Sequence, residues 1–335
     1  MKKIIVTIFF LFLSIPMPSK SVAETFKDSD IFTFSLENDA FGQSDKYYTS
    51  GVELTWLSDV QKESGEKTAI PAKSISLLKA LPFFAKPESP NLFSISLGQK
   101  IFTPEDLGTT KLIKDDRPYT GIAYLSIGFY NKGKMGMDSL KIDVGIAGPT
   151  SYAEQSQQTV HDLFGFRMPK GWENQIKDEP ILNFVYDRRD IKSCKKNEDH
   201  FGYDFISRAG FALGNAYTYV NAGVKFRFGW HLQEDFGMPI FYPQIKNDVP
   251  IQCLGLNFYV SLDERFVLQD ISLDGNTFRH SHSVEKSPFV ANFQAGIELT
   301  GTCFKVGYTH NYHTKEFELQ KGGHDFGMIY LSLFF

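Results

Sequence analysis

The chain has 335 residues, a formal net charge of −4, and a composition that is 42% hydrophobic, 22% charged and 15% aromatic. Its 32 Phe, 15 Tyr and 3 Trp exclude a disordered chain. The absence of any apolar stretch of about 18 residues excludes a helical membrane protein, and with no basic block nucleic acid is not an expected partner. Mean hydropathy is only −0.22. That value fits a soluble β or α/β protein, or a transmembrane β-barrel, where only every second strand residue must be apolar.

The first predicted element is a targeting segment. Lys2 and Lys3 precede the apolar run Ile4–Met17, and Ser21-Val22-Ala23 fits a small-residue cleavage site. Residues 1–23 are therefore expected to be a signal peptide and residues 24–335 one mature barrel domain. Cleavage would remove three lysines and no acid, taking the charge from −4 to −7. The three cysteines, Cys194, Cys253 and Cys303, are too few and too oddly numbered for a disulfide framework, although one pair remains open.

Period-2 alternation then recurs along the chain. Val220, Ala222, Val224, Phe226, Phe228 and Trp230 alternate with Asn221, Gly223, Lys225, Arg227 and Gly229. Phe289, Ala291, Phe293, Ala295, Ile297 and Leu299 do the same against polar neighbours. One apolar and one polar face per strand suit a sandwich or a barrel. Lys, Arg, Glu, Gln and Gly on the polar faces favour a barrel with a wet, narrow lumen. Aromatics toward strand ends (Trp56, Tyr119, Tyr130, Trp230, Tyr308) favour interfacial girdles.

The pattern predicts an all-β fold, a transmembrane antiparallel β-barrel of about twelve strands. They cover 30–39, 47–59, 91–102, 119–131, 137–147, 180–188, 200–213, 216–230, 252–264, 288–300, 302–313 and 325–335. An even count puts both termini in the periplasm. Segments 40–46, 103–118, 148–179 and 265–287 are then extracellular. Segment 60–90 falls on the periplasmic side and holds a possible short helix at 74–81, with no functional reading. The last strand alternates Ile329, Leu331, Leu333 and Phe335 with Tyr330, Ser332 and Phe334, which resembles the C-terminal signal of bacterial outer-membrane proteins.

Polar residues gather at the predicted outer rim. Phe32, Phe34 and Leu36 form an apolar stripe whose next position is Asn38, followed by Asp39. A polar side chain there needs a head group, an ion or a partner. With Thr49 they offer hard oxygen donors suited to calcium, although Asn and Asp are also ordinary turn residues. Thr49 has the opposite parity from Val52, Leu54 and Trp56, an irregularity common at strand ends.

Segment 148–179 predicts the short helix of the fold, an extracellular one. Ser151 and Glu154 form a possible capping box, Tyr152 to Phe164 the helix, and Gly165 its stop. Gln157 and His161 share one face, and a histidine can act as general base. Pro169 and Trp172 would suit docking at the membrane interface. His310 and His313 point to opposite faces of a strand and cannot share a metal. His280 and His282 share a face but lack a neighbouring carboxylate pattern. No His-x-Ser pair, of the kind outer-membrane phospholipases use, and no Gly-x-Ser-x-Gly occurs, which favours a water nucleophile over an acyl-serine if the barrel is a hydrolase.

Ordered motifs then resemble the LpxR family of outer-membrane lipid A 3′-O-deacylases. They are Glu37-Asn38-Asp39-Ala40-Phe41, Asp45-Lys46-Tyr47-Tyr48-Thr49-Ser50-Gly51, and Gly98-Gln99 with Phe102-Thr103-Pro104. Asp116-Arg117-Pro118-Tyr119, Gly148-Pro149, Gln157 with His161, and Gly171-Trp172-Glu173-Asn174-Gln175 follow. The resemblance covers residues 35–180. It implies a twelve-stranded barrel and calcium-dependent hydrolysis of the ester-linked 3′ acyloxyacyl group of lipid A. It implies His161 as the base that activates water, with Gln157 beside it. It implies Asn38, Asp39 and Thr49 in calcium binding and oxyanion stabilisation. A site lysine is implied in the second outer loop, for which Lys111 is the candidate and Lys114 the rival. Enteric members carry an acidic residue six positions after the histidine, where this chain has Arg167; Glu173 lies close in sequence. Expected partners are lipid A or lipopolysaccharide and outer-membrane lipids, and the chain is expected to be a monomer. The rival readings are a non-catalytic barrel (porin or structural) and an outer-membrane phospholipase.

Overall fold

The computed structural model describes residues 30–42, 46–59, 91–196, 200–240 and 254–334. The expected signal peptide, segment 60–90 and Cys253 lie outside them, as does the side chain of Cys194.

Twelve strands form: β1 (Ile31–Asn38), β2 (Tyr47–Asp59), β3 (Asn91–Thr103), β4 (Thr120–Lys132), β5 (Gly136–Ala147), β6 (Glu179–Lys196), β7 (Phe201–Gly214), β8 (Tyr217–Trp230), β9 (Gly255–Asp270), β10 (Phe289–Thr300), β11 (Phe304–His313) and β12 (His324–Phe334). Each pairs antiparallel with the next, and β1 pairs with β12, closing the barrel. Helix α1 (Ala153–Phe164) lies between β5 and β6, and one-turn α2 (Ile271–Asp274) follows β9. No described helix is long and apolar enough to cross a membrane.

The alternation resolves into an outer and an inner face. Leu97, Val144, Leu182, Leu213, Val220 and Val260 are exposed on the outside. Thr33, Ser96, Asp187, Arg227, Lys305 and Ser332 are buried inside. Such inversion of a soluble protein's pattern suits a barrel in lipid. Trp230 is exposed, as a girdle residue should be, but Tyr119 and Tyr130 are buried. Tyr130 packs into an interior cluster, so its position near a strand end did not make it interfacial.

Two strands run past their predicted ends. β6 continues to Lys196 through a bulge between Ile191 and Ser193, and β9 continues to Asp270. Charged runs such as Asp263-Glu264-Arg265 mask the alternation, which resumes in exposed Phe266, buried Val267 and exposed Leu268. Residues 265–270 therefore belong to the wall and not to the following loop.

The lumen is stoppered. The segment after β8 folds back inside, where Phe236, Met238 and Ile240 pack against Ile31, Leu57, Tyr130 and Met137. Asp235, fully buried, pairs with Arg227 and with Lys305. Arg227 also donates to both carboxylate oxygens of Asp204, at 2.9 and 2.6 Å. Arg189 and Lys225 donate to the carbonyls of Phe236 and Gly237, and Ser332 donates to that of Pro239. A cavity of about 250 Å³ remains beside Met238, with Glu53, Lys100, Lys141, Asp187 and Arg208 among its lining residues.

Candidate active site

The end of the barrel that carries α1 collects the candidate residues. β1 stops at Asn38 because its side chain turns the chain: Oδ1 accepts from the Ala40 amide at 2.9 Å, an Asx-type turn. The Asn38 amide donates to the Thr49 carbonyl at 2.9 Å, binding the two halves of the β1–β2 connection. Asp39 opens a 3-10 turn (Asp39–Gly42) and is only 2% exposed. Its Oδ2 accepts from the Lys46 amide at 2.6 Å.

Thr49 occupies a register shift between Tyr48 and Ser50 in the β2–β3 ladder. That bulge accounts for its irregular parity and turns it into a buried position. Its hydroxyl lies 2.7 Å from that of Thr103, at the end of β3. Lys46 pairs with Glu105 at 2.9 Å, and this hydrogen bond holds the Glu105 carboxyl below its usual range. Just beyond, Asp116 accepts from the Glu105 and Arg117 amides; burial pushes its carboxyl up.

Helix α1 lies over β3 and β4. Its start differs from the expected capping box. Pro149–Ser151 form a 3-10 turn, in which the Ser151 hydroxyl donates to the Gly148 carbonyl at 2.6 Å. Tyr152 then adopts φ 56° and caps the helix with backbone alone, while Glu154 accepts from Gln158. Gln99 fixes this entry by donating to the Ser151 carbonyl at 2.7 Å. Gly121 on β4 admits the helix, because a Cβ there would overlap Ala153 and Ser151. Gly165, at φ 68°, ends the helix in the left-handed cap.

Ala153, Gln157 and His161 form the buried face of α1. Leu163 and Val160 face outward and are exposed. The Gln157 Oε1 accepts from the Trp172 indole at 2.8 Å, and that ring packs 4.9 Å from Tyr119. Trp172 is 1% exposed, so it is held inside against Gln157 and does not dock at the membrane interface. Tyr119 lies in the same cluster with Ile101, Leu107 and Ala153. The sequence placed Gly171-Trp172 near the site but gave no sign of this bond, which depends on a loop folding back over the helix.

His161 donates from Nδ1 to the Arg167 carbonyl at 2.6 Å. This bond assigns the proton to Nδ1 and leaves Nε2 as the basic nitrogen of the neutral ring. Arg167 therefore contributes its backbone. Its side chain is 69% exposed, lies against Gly108 and faces Asp106 at 3.7 Å. Lys111 and Lys114 are exposed in the β3–β4 loop. That loop is laced to the segment after α1: Lys170 donates to the Leu107 carbonyl, and Asn174 to the Thr110 carbonyl.

The structure thus bonds Asn38, at the end of β1, to Thr49 on β2, with Asp39 next in the turn that joins those strands, and puts Gln157 and His161 on one buried face of α1. β3 lies between them, paired with β2 and covered by α1. The oxygens of Asn38, Asp39 and Thr49, one buried carboxylate among them, are the hard donors calcium takes. Elsewhere, His282 donates to the Asp116 carbonyl at 2.8 Å and braces two loops.

The family described as outer membrane protein LpxR matches residues 5–335. Among solved structures, LpxR from Salmonella typhimurium superposes with a TM-score of 0.72 at 15% identity, covering 92% of this chain and 100% of that one. The β domain of the Bordetella autotransporter BrkA is also similar, with a TM-score of 0.40 at 9% identity, covering 91% and 97%. No curated protein sequence matches.

Proposed function

This chain belongs to the LpxR family of outer membrane proteins, and from that premise we propose that it hydrolyses the ester-linked 3′ acyloxyacyl group of lipid A in the outer leaflet. The observation that carries the reading is the buried Gln157–His161 face of α1, with the imidazole proton directed to the Arg167 carbonyl. A histidine so held is oriented for base catalysis.

In the proposed reaction, Nε2 of His161 takes a proton from water as the water oxygen attacks the ester carbonyl carbon. The tetrahedral intermediate then collapses, and the departing sugar alkoxide takes that proton back from His161. The products are a free acyloxyacyl acid and a 3′ hydroxyl. Gln157, held by Trp172, positions the reacting groups. Asn38, Asp39 and Thr49 would hold calcium, which supplies positive charge toward the carbonyl oxygen when bound. Lys111, exposed in the neighbouring loop, is available to the anionic head group.

The stoppered lumen opposes a conducting pore. The absence of a His-x-Ser pair opposes an acyl-serine phospholipase.

The test is mass spectrometry of lipid A from cells expressing this chain, with and without a calcium chelator. The expected result is loss of the 3′ acyloxyacyl mass, abolished by chelation. Unaltered lipid A would overturn the activity, and chelator-resistant loss would overturn the calcium role. Arg167→Ala is expected to keep deacylation within about threefold of the parent in the same assay, because an alanine retains the carbonyl that His161 uses. A near-complete loss would show that the guanidinium itself acts.

A further inference from the structure

The buried histidines of the last hairpin are not used by this chemistry. His313 ends β11, His324 opens β12, and the two are direct cross-strand partners. Both point inward and are buried, His324 to 2% exposure. Glu316, from the loop between them, folds back onto the pair. One ligand atom from each of the three lies within 4.8 Å of the other two.

These imidazoles are anomalous as ordinary interior residues. Neither ring nitrogen of His324 has a hydrogen-bond partner. Nδ1 of His313 has none either; it faces Oε1 of Glu316 at 3.5 Å. Buried polar nitrogens are normally satisfied, and each exception calls for an explanation. Phe326 packs on both imidazoles and Tyr47 on His324, so the rings are fixed within an apolar shell.

The carboxylate is prepared on its other side. Arg117, fully buried, donates to Oε2 of Glu316 at 2.9 Å. Burial alone would push the Glu316 carboxyl up, but Arg117 above all outweighs it and holds the carboxyl well below its usual range. Arg117 also donates to the Ser272 hydroxyl, which donates to Asp270. The arginine therefore bonds directly to Glu316 and reaches Asp270 only through Ser272, and Oε1 of Glu316 is directed at the histidines. Outer groups that orient a ligating carboxylate in this way are a regular part of metal sites.

We propose that His313, Glu316 and His324 bind a divalent transition metal ion of the zinc class. Two imidazoles and one carboxylate are a standard donor set for zinc, whose tetrahedral ligands lie about 3.3 Å apart. The three ligand atoms, within 4.8 Å of one another, would draw in to that spacing on metal binding. The site shares no residue with the all-oxygen set at Asn38, Asp39 and Thr49. Binding would staple the β11–β12 loop to the wall of the barrel.

The test uses the full-length protein in detergent, stripped with a chelator, dialysed against zinc chloride and analysed for bound metal. Wild type is expected to retain about one equivalent of zinc per chain and to unfold at a higher temperature with it. His324→Phe keeps an aromatic ring in the apolar shell, and Glu316→Gln keeps the side-chain shape. Both are expected to fold, to lose the zinc and to lose the thermal shift. His161→Ala is expected to retain both, which separates this site from the proposed base. Cobalt substitution adds a second readout: tetrahedral visible absorption in wild type, absent in Glu316→Gln. The proposal is overturned if wild type retains no zinc, or if His324→Phe and Glu316→Gln retain it as wild type does.

Discussion

His161→Ala is expected to lower lipid A deacylation by about 10²–10⁴-fold, the range a general base supplies. The barrel should insert and remain folded, because His161 lies on a helix outside the strand ladder. Mass spectrometry of lipid A gives the rate, and heat-modifiable mobility in gel electrophoresis gives the fold. A folded variant that deacylates at the parent rate would remove His161 from the mechanism. The expected loss is large because the imidazole is held in one orientation. Its Nδ1 proton is committed to the Arg167 carbonyl at 2.6 Å, and its helix face is fixed through Gln157 and Trp172. No other histidine occupies the buried face of α1.

Arg227→Met is expected to destabilise the barrel by about 3–5 kcal/mol, the effect of removing one partner from a buried ion pair. Methionine leaves Asp204 and Asp235 in the lumen, and Arg227 bonds to both. Lys305 alone would then face Asp235. Urea titration in micelles measures the effect through the unfolding midpoint. Adding Asp204→Asn and Asp235→Asn to Arg227→Met should recover part of the loss, because the stranded charges disappear. An unshifted midpoint in the single variant would mean that water reaches these carboxylates and that the stopper is loose.

The barrel was legible because half of each strand must face lipid. In β8 and β10 every apolar residue named from the pattern is on the outer side. The pattern failed where charge interrupts it, as at the end of β9, and where an aromatic at a strand end turns inward, as Tyr130 does. The helix was legible from its Gly165 stop and from the four-residue spacing of Gln157 and His161. Its cap was not, because the preceding 3-10 turn had already used the Ser151 hydroxyl. Arg167 is the most instructive residue. A sequence exposes the side chain of position 167, but the structure uses its carbonyl, which any residue provides. The His313–His324 pair was hidden for another reason. Each faces inward from its own strand, and only the hairpin register makes them neighbours. The stopper after β8 was hidden because Phe236, Met238 and Ile240 are interrupted by Gly237 and Pro239, which read as a turn, and are held by side chains scattered through the chain.

That stopper also constrains the order in which the molecule can be built. Its residues bond to Arg189 on β6, Lys225 and Arg227 on β8, Lys305 on β11 and Ser332 on β12. These strands stand around much of the ring, while the seam joins β1 to β12. A segment tied to so many staves has to be inside before the hoop is drawn shut. Assembly from an open sheet would meet this requirement, with the later strands gathering around the segment and the seam closing last.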